Sequence, residues 1–299
     1  VSTLPASDAP EPPYRRIARD FFASPLAVAG LAVFALMLAA AVLAPLVSPQ
    51  DPYDLAQLDV MDSRLPPGAA GVDGRRYWLG TDEQGRDVLS AIFYGLRISL
   101  GVGAASTLAA LAIGVAAGLA AGYFGGRVET VIMRIVDLQL SFPAILVALV
   151  LLASLGQGIG KTIAALVVVQ WAYYARTVRG TALVERGKEY IEAARGLALP
   201  ASRILFRHLL PNCLPPVIVV ATVQVAAAIA LEATLSYLGI GVPITEPSLG
   251  LLIKNGFDYM LSGKYWISFF PGVALVLVIV SINLVGDRLR DILNPRLQR

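Results

Sequence analysis

A chain of 299 residues that is 57% hydrophobic and only 15% charged, with a mean hydropathy of +0.69, lies far from the roughly 45–50% apolar and 25% charged make-up of soluble domains and belongs in a bilayer. One cysteine, Cys213, and one histidine, His208, exclude an intrachain disulfide framework and a Cys/His metal site. The net charge of +3 follows from arginines placed where membrane topology puts them and points to no nucleic-acid partner.

In chain order, the sequence predicts an all-α polytopic protein with six transmembrane helices, each needing about 20 apolar residues to cross the hydrocarbon. The arm over 1–24 is cytoplasmic, and its first part, Val1 to Pro13, is proline-rich and expected to be disordered. The first span, 25–47, has no charge between Asp20 and Asp51 and is longer than the apolar core of a signal peptide, so it reads as a retained anchor. An extracytoplasmic loop follows over 48–97. In it Thr81 and Gln84 have capping-box spacing, and Val88, Leu89, Ile92, Phe93 and Leu96 recur at helical period, predicting an amphipathic helix on the outer surface.

The remaining five spans fall in a core over 98–287, at 98–122, 135–158, 162–178, 213–239 and 267–287. The second carries Gly114, Gly118 and Gly122, a small-residue stripe for close helix approach, within the chain or at a seam between subunits. In the third, Pro143 lacks an amide donor and predicts a kink near Ser141 and Phe142. GQGIGKT, Gly156 to Thr162, imitates a phosphate-binding loop, but Leu155 stands where that motif needs its first glycine, and no buried strand precedes it. The fourth span has only 14 uncharged residues between Lys161 and Arg176, so it crosses only if both side chains snorkel. A tail over 288–299 ends the chain. With the N-terminus inside, the cytoplasmic side gathers all but eight of the 24 Lys and Arg, so both termini are cytoplasmic.

Between the fourth and fifth spans lies a charged island, Arg176 to Arg207. Val184, Gly187, Tyr190, Ile191, Ala194 and Leu197 repeat at helical period and predict one surface helix. Leu199-Pro200 breaks it, because the residue before proline disfavours the helical region. A second helix is expected over Ala201 to Leu210, ending at Pro211 and Asn212. The pair forms a cytoplasmic bracket tied to membrane helices at both ends, with an apolar stripe suited to docking in a groove.

EYIEAARGLALPASRILFRHLLPN resembles the EAA motif of ABC importer permeases. LGTDEQGRDVLSAIFYGLRISL, GYFGGRVETVIMRIVDLQLSFPAIL, LEATLSYLGIG and NLVGDRLRDILNPRLQ are similar to the dipeptide/oligopeptide/nickel branch, C-type inner-membrane subunit. The resemblance implies a type I ABC importer transmembrane domain in a bacterial or archaeal inner membrane. It implies as partners a homologous second permease, two ATP-binding subunits that hold ATP and Mg, and an extracytoplasmic solute-binding protein. The chain itself would be non-catalytic and bind no cofactor or metal. The coupling region over 179–212 would contact the ATPases, with Glu192, Ala193 and Ala194 as the name-giving triplet and Glu189, Tyr190, Gly196, Leu197, Ala198, Pro200 and Pro211 around it. Ala198 stands where the family has glycine; a left-handed turn there would cost about 1 kcal/mol unless Gly196 and Pro200 move the turn.

Two intramembrane carboxylates, Asp137 and Glu232, are expected to face the bundle interior or a cavity, either on the translocation path or as helix-packing groups. The function implied is a permease subunit passing short peptides or a related small solute. The alternative is a self-contained secondary transporter, which often shows inverted repeats and broken helices at midspan.

Overall fold

The computed structural model describes residues 13–243 and 245–293. The arm expected to be disordered lies outside them up to residue 12, as do the tail residues Arg296 and Arg299. Among the described residues the chain is helical, with two isolated bridges and no strand.

A helix not anticipated in the arm, α1 (Pro13–Phe22), precedes the first span. Ile17 and Phe21 pack it on Leu289 and Ile292 near the end of the chain. The first span is α2 (Pro25–Val42), started by the Ser24 side chain, which accepts from the Ala27 amide, and by proline at the first position. The short α3 (Ala44–Val47) follows.

The outer loop corrects one expectation. Thr81 caps no helix: its hydroxyl donates to the Asp62 carbonyl, and the Asp82 carboxylate accepts the Gln84 and Arg86 amides in a tight turn. The helix begins at Val88 instead, capped by Asp87, whose carboxylate accepts the Ser90 amide at 2.8 Å. Nor is it a separate surface helix. It runs unbroken through the second span as α4 (Val88–Phe124, 37 residues), and Val88, Ile92 and Leu96 are buried against Ile229, Trp266 and Ile267. An apolar stripe bounded by polar residues looks the same whether its cover is a lipid headgroup layer or another helix.

The third span is bent by 92° between α5 (Gly126–Ser141) and α6 (Ala144–Leu155). The hinge is Phe142-Pro143, both with extended ψ values, as expected where proline removes a donor and bars its predecessor from the helical region. The sequence predicted a kink; the structure makes it a corner. Next comes α7 (Ile159–Arg186). Gly114, Gly118 and Gly122 face it: a β-carbon on Gly118 would meet the Ala175 carbonyl oxygen at 2.6 Å, and one on Gly122 would meet the Ala182 β-carbon at 2.6 Å. The stripe therefore serves packing within the chain.

Past the island, α10 (Leu210–Tyr237) and α12 (Trp266–Leu293) supply the fifth and sixth spans. Between them lies α11 (Leu249–Met260), capped by Ser248 and absent from the sequence prediction. Its 12 residues rise about 18 Å, too short to cross. Among the described residues four continuous helical stretches are long and apolar enough to span, α2, α4, Ala201–Tyr237 and α12, and the bent α5–α6 pair makes five. The remaining expected span, the fourth, is α7: it has 28 residues, about 42 Å of helix, but Lys161, Arg176, Arg179 and Arg186 lower its apolar content below that of the others.

Candidate coupling site

The charged island folds at the end of the bundle where α4 stops and α7 ends. Here α7 terminates at Arg186, whose guanidinium donates to the Gly122 and Tyr123 carbonyls at 3.1 and 3.3 Å. Those carbonyls belong to the last turn of α4, so an arginine satisfies groups that a helix terminus leaves orphaned.

After the turn at Gly187 and Lys188 comes α8 (Glu189–Gly196). The single helix expected over Val184 to Leu197 is thus two, and the supposed stripe is split: Val184 and Leu197 are exposed, while Ile191 and Ala194 are buried. Ile191 and Ala194 seat on Leu119 of α4, Val178 and Ala182 of α7, and Ile204, Leu209 and Cys213 further on. Arg195 lies over the Tyr123 ring at 5.3 Å, a cation–π contact. Glu189 and Glu192 lie in the first turn, where the helix dipole favours negative charge.

The break between the two island helices is a Schellman turn. Leu199 N–H donates to Ala194 O at 3.2 Å and Ala198 N–H to Arg195 O at 2.9 Å. Ala198 takes φ = 52°, the left-handed region, while Gly196 remains helical. The turn has not migrated to the neighbouring glycine.

Pro200 opens α9 (Ala201–Arg203), as the sequence predicts, but the second helix does not end at Pro211. It passes through a π turn over Ile204–Leu209 and continues as α10. A proline ring collides with the carbonyl four residues back and offers it no hydrogen bond; the wider π turn lets the chain absorb Pro211 without stopping. Ala201 to Tyr237 is one 37-residue helix, so the bracket is welded to the fifth span.

Within the charged island, Glu185 is only 9% exposed. It accepts from Lys188 Nζ and from the Tyr190 hydroxyl, each at 2.6 Å. Asn212 in turn donates to the Tyr190 oxygen at 3.1 Å and to the His208 carbonyl at 2.7 Å. This chain of bonds joins the end of α7, the start of α8 and the start of α10. Burial opposes ionisation of Glu185, but the Lys188 and Tyr190 bonds outweigh it and hold the carboxyl below its ordinary range. Burial first, and the bond to Glu185 second, push the Tyr190 phenol up to about 12. The only sequence signal was acid, Lys and Tyr at positions 185, 188 and 190, a spacing that becomes a network only because the chain turns at Gly187.

On the outward side, Glu189, Glu192, Ala193, Gly196, Leu197, Ala198, Pro200 and Pro211 are exposed, with Leu197 at 75% and Phe206 at 67%. Among the described residues no ion pair involves Glu192. The site is therefore a braced knob: one face fixed in the bundle, the other an apolar and acidic edge in solvent.

The two intramembrane carboxylates part company. Glu232 is fully buried, accepting from Ser99 Oγ at 2.8 Å and Ser236 Oγ at 2.7 Å. Ser99 Oγ also accepts the Leu249 amide at 3.3 Å, and Ser236 Oγ the Val242 amide at 3.3 Å. Glu232 thereby ties α4, α10 and the start of α11 together. Of the two expected settings, interior or cavity, Asp137 takes the second: it is exposed on α5 and pairs with Arg176 of α7 at 2.6 Å. The pair lines a hollow of about 520 Å³ between α5 and α7, with Glu129, Arg134 and Arg179 around it. Glu129 and Arg179 make a second bridge between the same helices.

Residues 114–299 match the family of binding-protein-dependent transport system inner membrane components, and residues 12–67 match the N-terminal transmembrane domain of oligopeptide transport permease C. Similar chains include the dipeptide transport system permease DppC of Bacillus subtilis, 38% identical over 92% of this chain and 83% of that one. The di/tripeptide permease DppC of Pseudomonas aeruginosa is 35% identical over 96% and 93%, and the oligopeptide permease OppC of B. subtilis 35% over 93% and 88%. Among solved structures, the inward-facing MetNI methionine ABC transporter shares the fold, with a TM-score of 0.54 and 22% identity over 68% of this chain and 96% of that one.

Proposed function

The chain belongs to the binding-protein-dependent inner membrane components, as a multi-pass C-type permease subunit of an ABC importer, and from that footing we propose that it carries short peptides by coupling α8 to partner ATPases. The observation that carries the coupling role is the knob itself: Ile191 and Ala194 locked into the bundle, with Glu189, Glu192 and Leu197 left in solvent. A docking surface must be exposed to receive a partner and rigid to transmit its motion. Bonds through Glu185, Tyr190 and Asn212 supply the rigidity, and the unbroken helix from Ala201 carries displacement into the fifth span.

Peptide as cargo is supported by the names of relatives that transport dipeptides, tripeptides and oligopeptides. A homologous second permease would complete the path, an extracytoplasmic binding protein would deliver the peptide, and ATP with Mg would be held by two ATPase subunits. The asymmetry of Lys and Arg supports a cytoplasmic side for both termini and the knob. ATP-driven closure of the ATPases would push α8, and the bundle would exchange inward-facing and outward-facing arrangements.

The test is Glu192→Lys in the complete transporter reconstituted in liposomes. It should assemble in the membrane yet lose the link between ATP hydrolysis and uptake. Unchanged substrate-stimulated hydrolysis and uptake would remove Glu192 from the interface. A chain able to carry peptide alone would return the secondary-transporter reading.

A further inference from the structure

At the end of the bundle opposite the knob lies a cleft of about 630 Å³ between the outer loop, the first turns of α4 and α7, and the loop joining α10 to α11. Its lining includes one cation and one anion, Arg97 on α4 and Glu246 on the α10–α11 loop. Among the ion pairs formed by the described residues none involves either of them. Both nevertheless act on the same phenol: the Tyr53 hydroxyl is pushed up to about 12 by burial, then by Glu246 and Tyr94, with Arg97 opposing. Tyr53 stands edge-on to Tyr94, ring centroids 5.2 Å apart. Ile98 and Ile163 line the same cleft with apolar surface.

Opposite charges held apart over an aromatic and aliphatic floor match the chemistry of a small zwitterion with hydrophobic side chains. The volume falls within the range of about 300–1,000 Å³ typical of small-molecule sites. The cleft places both charges and both tyrosines around one hollow. Nothing in the coupling mechanism uses these residues, and their sequence separation of 149 positions hides the pairing from any motif.

We propose that this cleft is a receiving subsite for a free-ended short peptide, Arg97 taking the C-terminal carboxylate and Glu246 the N-terminal ammonium. The two tyrosines and the isoleucines take its side chains. The proposal rests on the peptide reading above and adds to it a place and an orientation.

The experiment uses the complete transporter in proteoliposomes and four forms of one tripeptide, Ala-Phe-Ala: free, N-acetylated, C-amidated, and blocked at both ends. Initial uptake is compared at equal peptide occupancy of the binding protein, so that the binding protein's own preference is divided out. Wild type should favour the free form over either singly blocked form by about tenfold, the worth of one charge-assisted contact. Glu246→Gln should erase the preference against N-acetylation and keep that against C-amidation; Arg97→Gln should do the reverse. A misfolded or weakly assembled variant would slow all four forms alike, and so would a variant that impairs docking of the binding protein. Equal slowing, or selectivity unchanged in both variants, overturns the proposal. Failure of wild type to take up any of the four while it takes up another solute would instead remove the peptide reading itself.

Discussion

Replacing Ala198 by glycine tests the left-handed turn at the position where the family resemblance leads one to expect glycine. Ala198 sits at φ = 52°, where an L side chain brings its β-carbon against the carbonyl and costs about 1–2 kcal/mol. Glycine removes that cost but adds about 0.4–1 kcal/mol of flexibility to the unfolded chain. The balance is a gain of about 0.5–1 kcal/mol, confined to the turn. The reporting bond is Leu199 N–H to Ala194 O at 3.2 Å, since the Leu199 amide exchanges only when the turn opens. Hydrogen exchange of the assembled transporter should show that amide slowed about two- to fivefold in Ala198→Gly, taking RT as about 0.6 kcal/mol. Ala198→Val, branched at the β-carbon and ill-suited to this region, should speed it about fivefold or more. Equal exchange in alanine, glycine and valine forms would refute the claim that the turn is strained at this residue.

Three further outcomes are expected. Glu232→Leu strands the Ser99 and Ser236 hydroxyls in the bundle and should cost about 2–4 kcal/mol, against about 1 kcal/mol for Glu232→Gln, which keeps one acceptor; thermal unfolding of the purified assembly compares them. Gly118→Val drives a side chain into the Ala175 carbonyl and Val178 and should cost about 3 kcal/mol, whereas Gly180→Ala, which meets nothing within 4 Å, should be neutral or stabilising by helix propensity. The depressed Glu185 carboxyl contributes stability that is present above its unfolded value and lost as pH falls through the folded one. Exchange of α8 amides, corrected for intrinsic rate, should therefore hold at neutral pH and rise below about pH 4.3; Tyr190→Phe removes one donor and should move that rise to higher pH.

Most of the helices of this protein are legible in its sequence because a bilayer leaves little choice. Uninterrupted apolar runs such as 25–42 and 266–286 must be helices, and Pro143 must interrupt one. The break at Leu199-Pro200 and the stripe Gly114, Gly118, Gly122 are equally local statements, and the structure places both as read. The family, too, was carried by residues in order: the EAA segment and its companions span nearly the whole chain.

What needed the tertiary structure depends on direction and distance rather than on composition. Whether Val88 to Leu96 covers a membrane surface or enters the core is decided by Trp266 and Ile267, some 170 residues away. That Asp137 finds Arg176, 39 residues on, depends on how α5 packs beside α7. Glu232 as a tie among three elements, Glu185 as the base of a brace, and Arg97 opposite Glu246 each depend on groups brought together by chain reversals. Local pattern reports what a residue can do with its neighbours in sequence; hydrogen bonds and charges act over a few ångströms in space, and only the folded chain sets those.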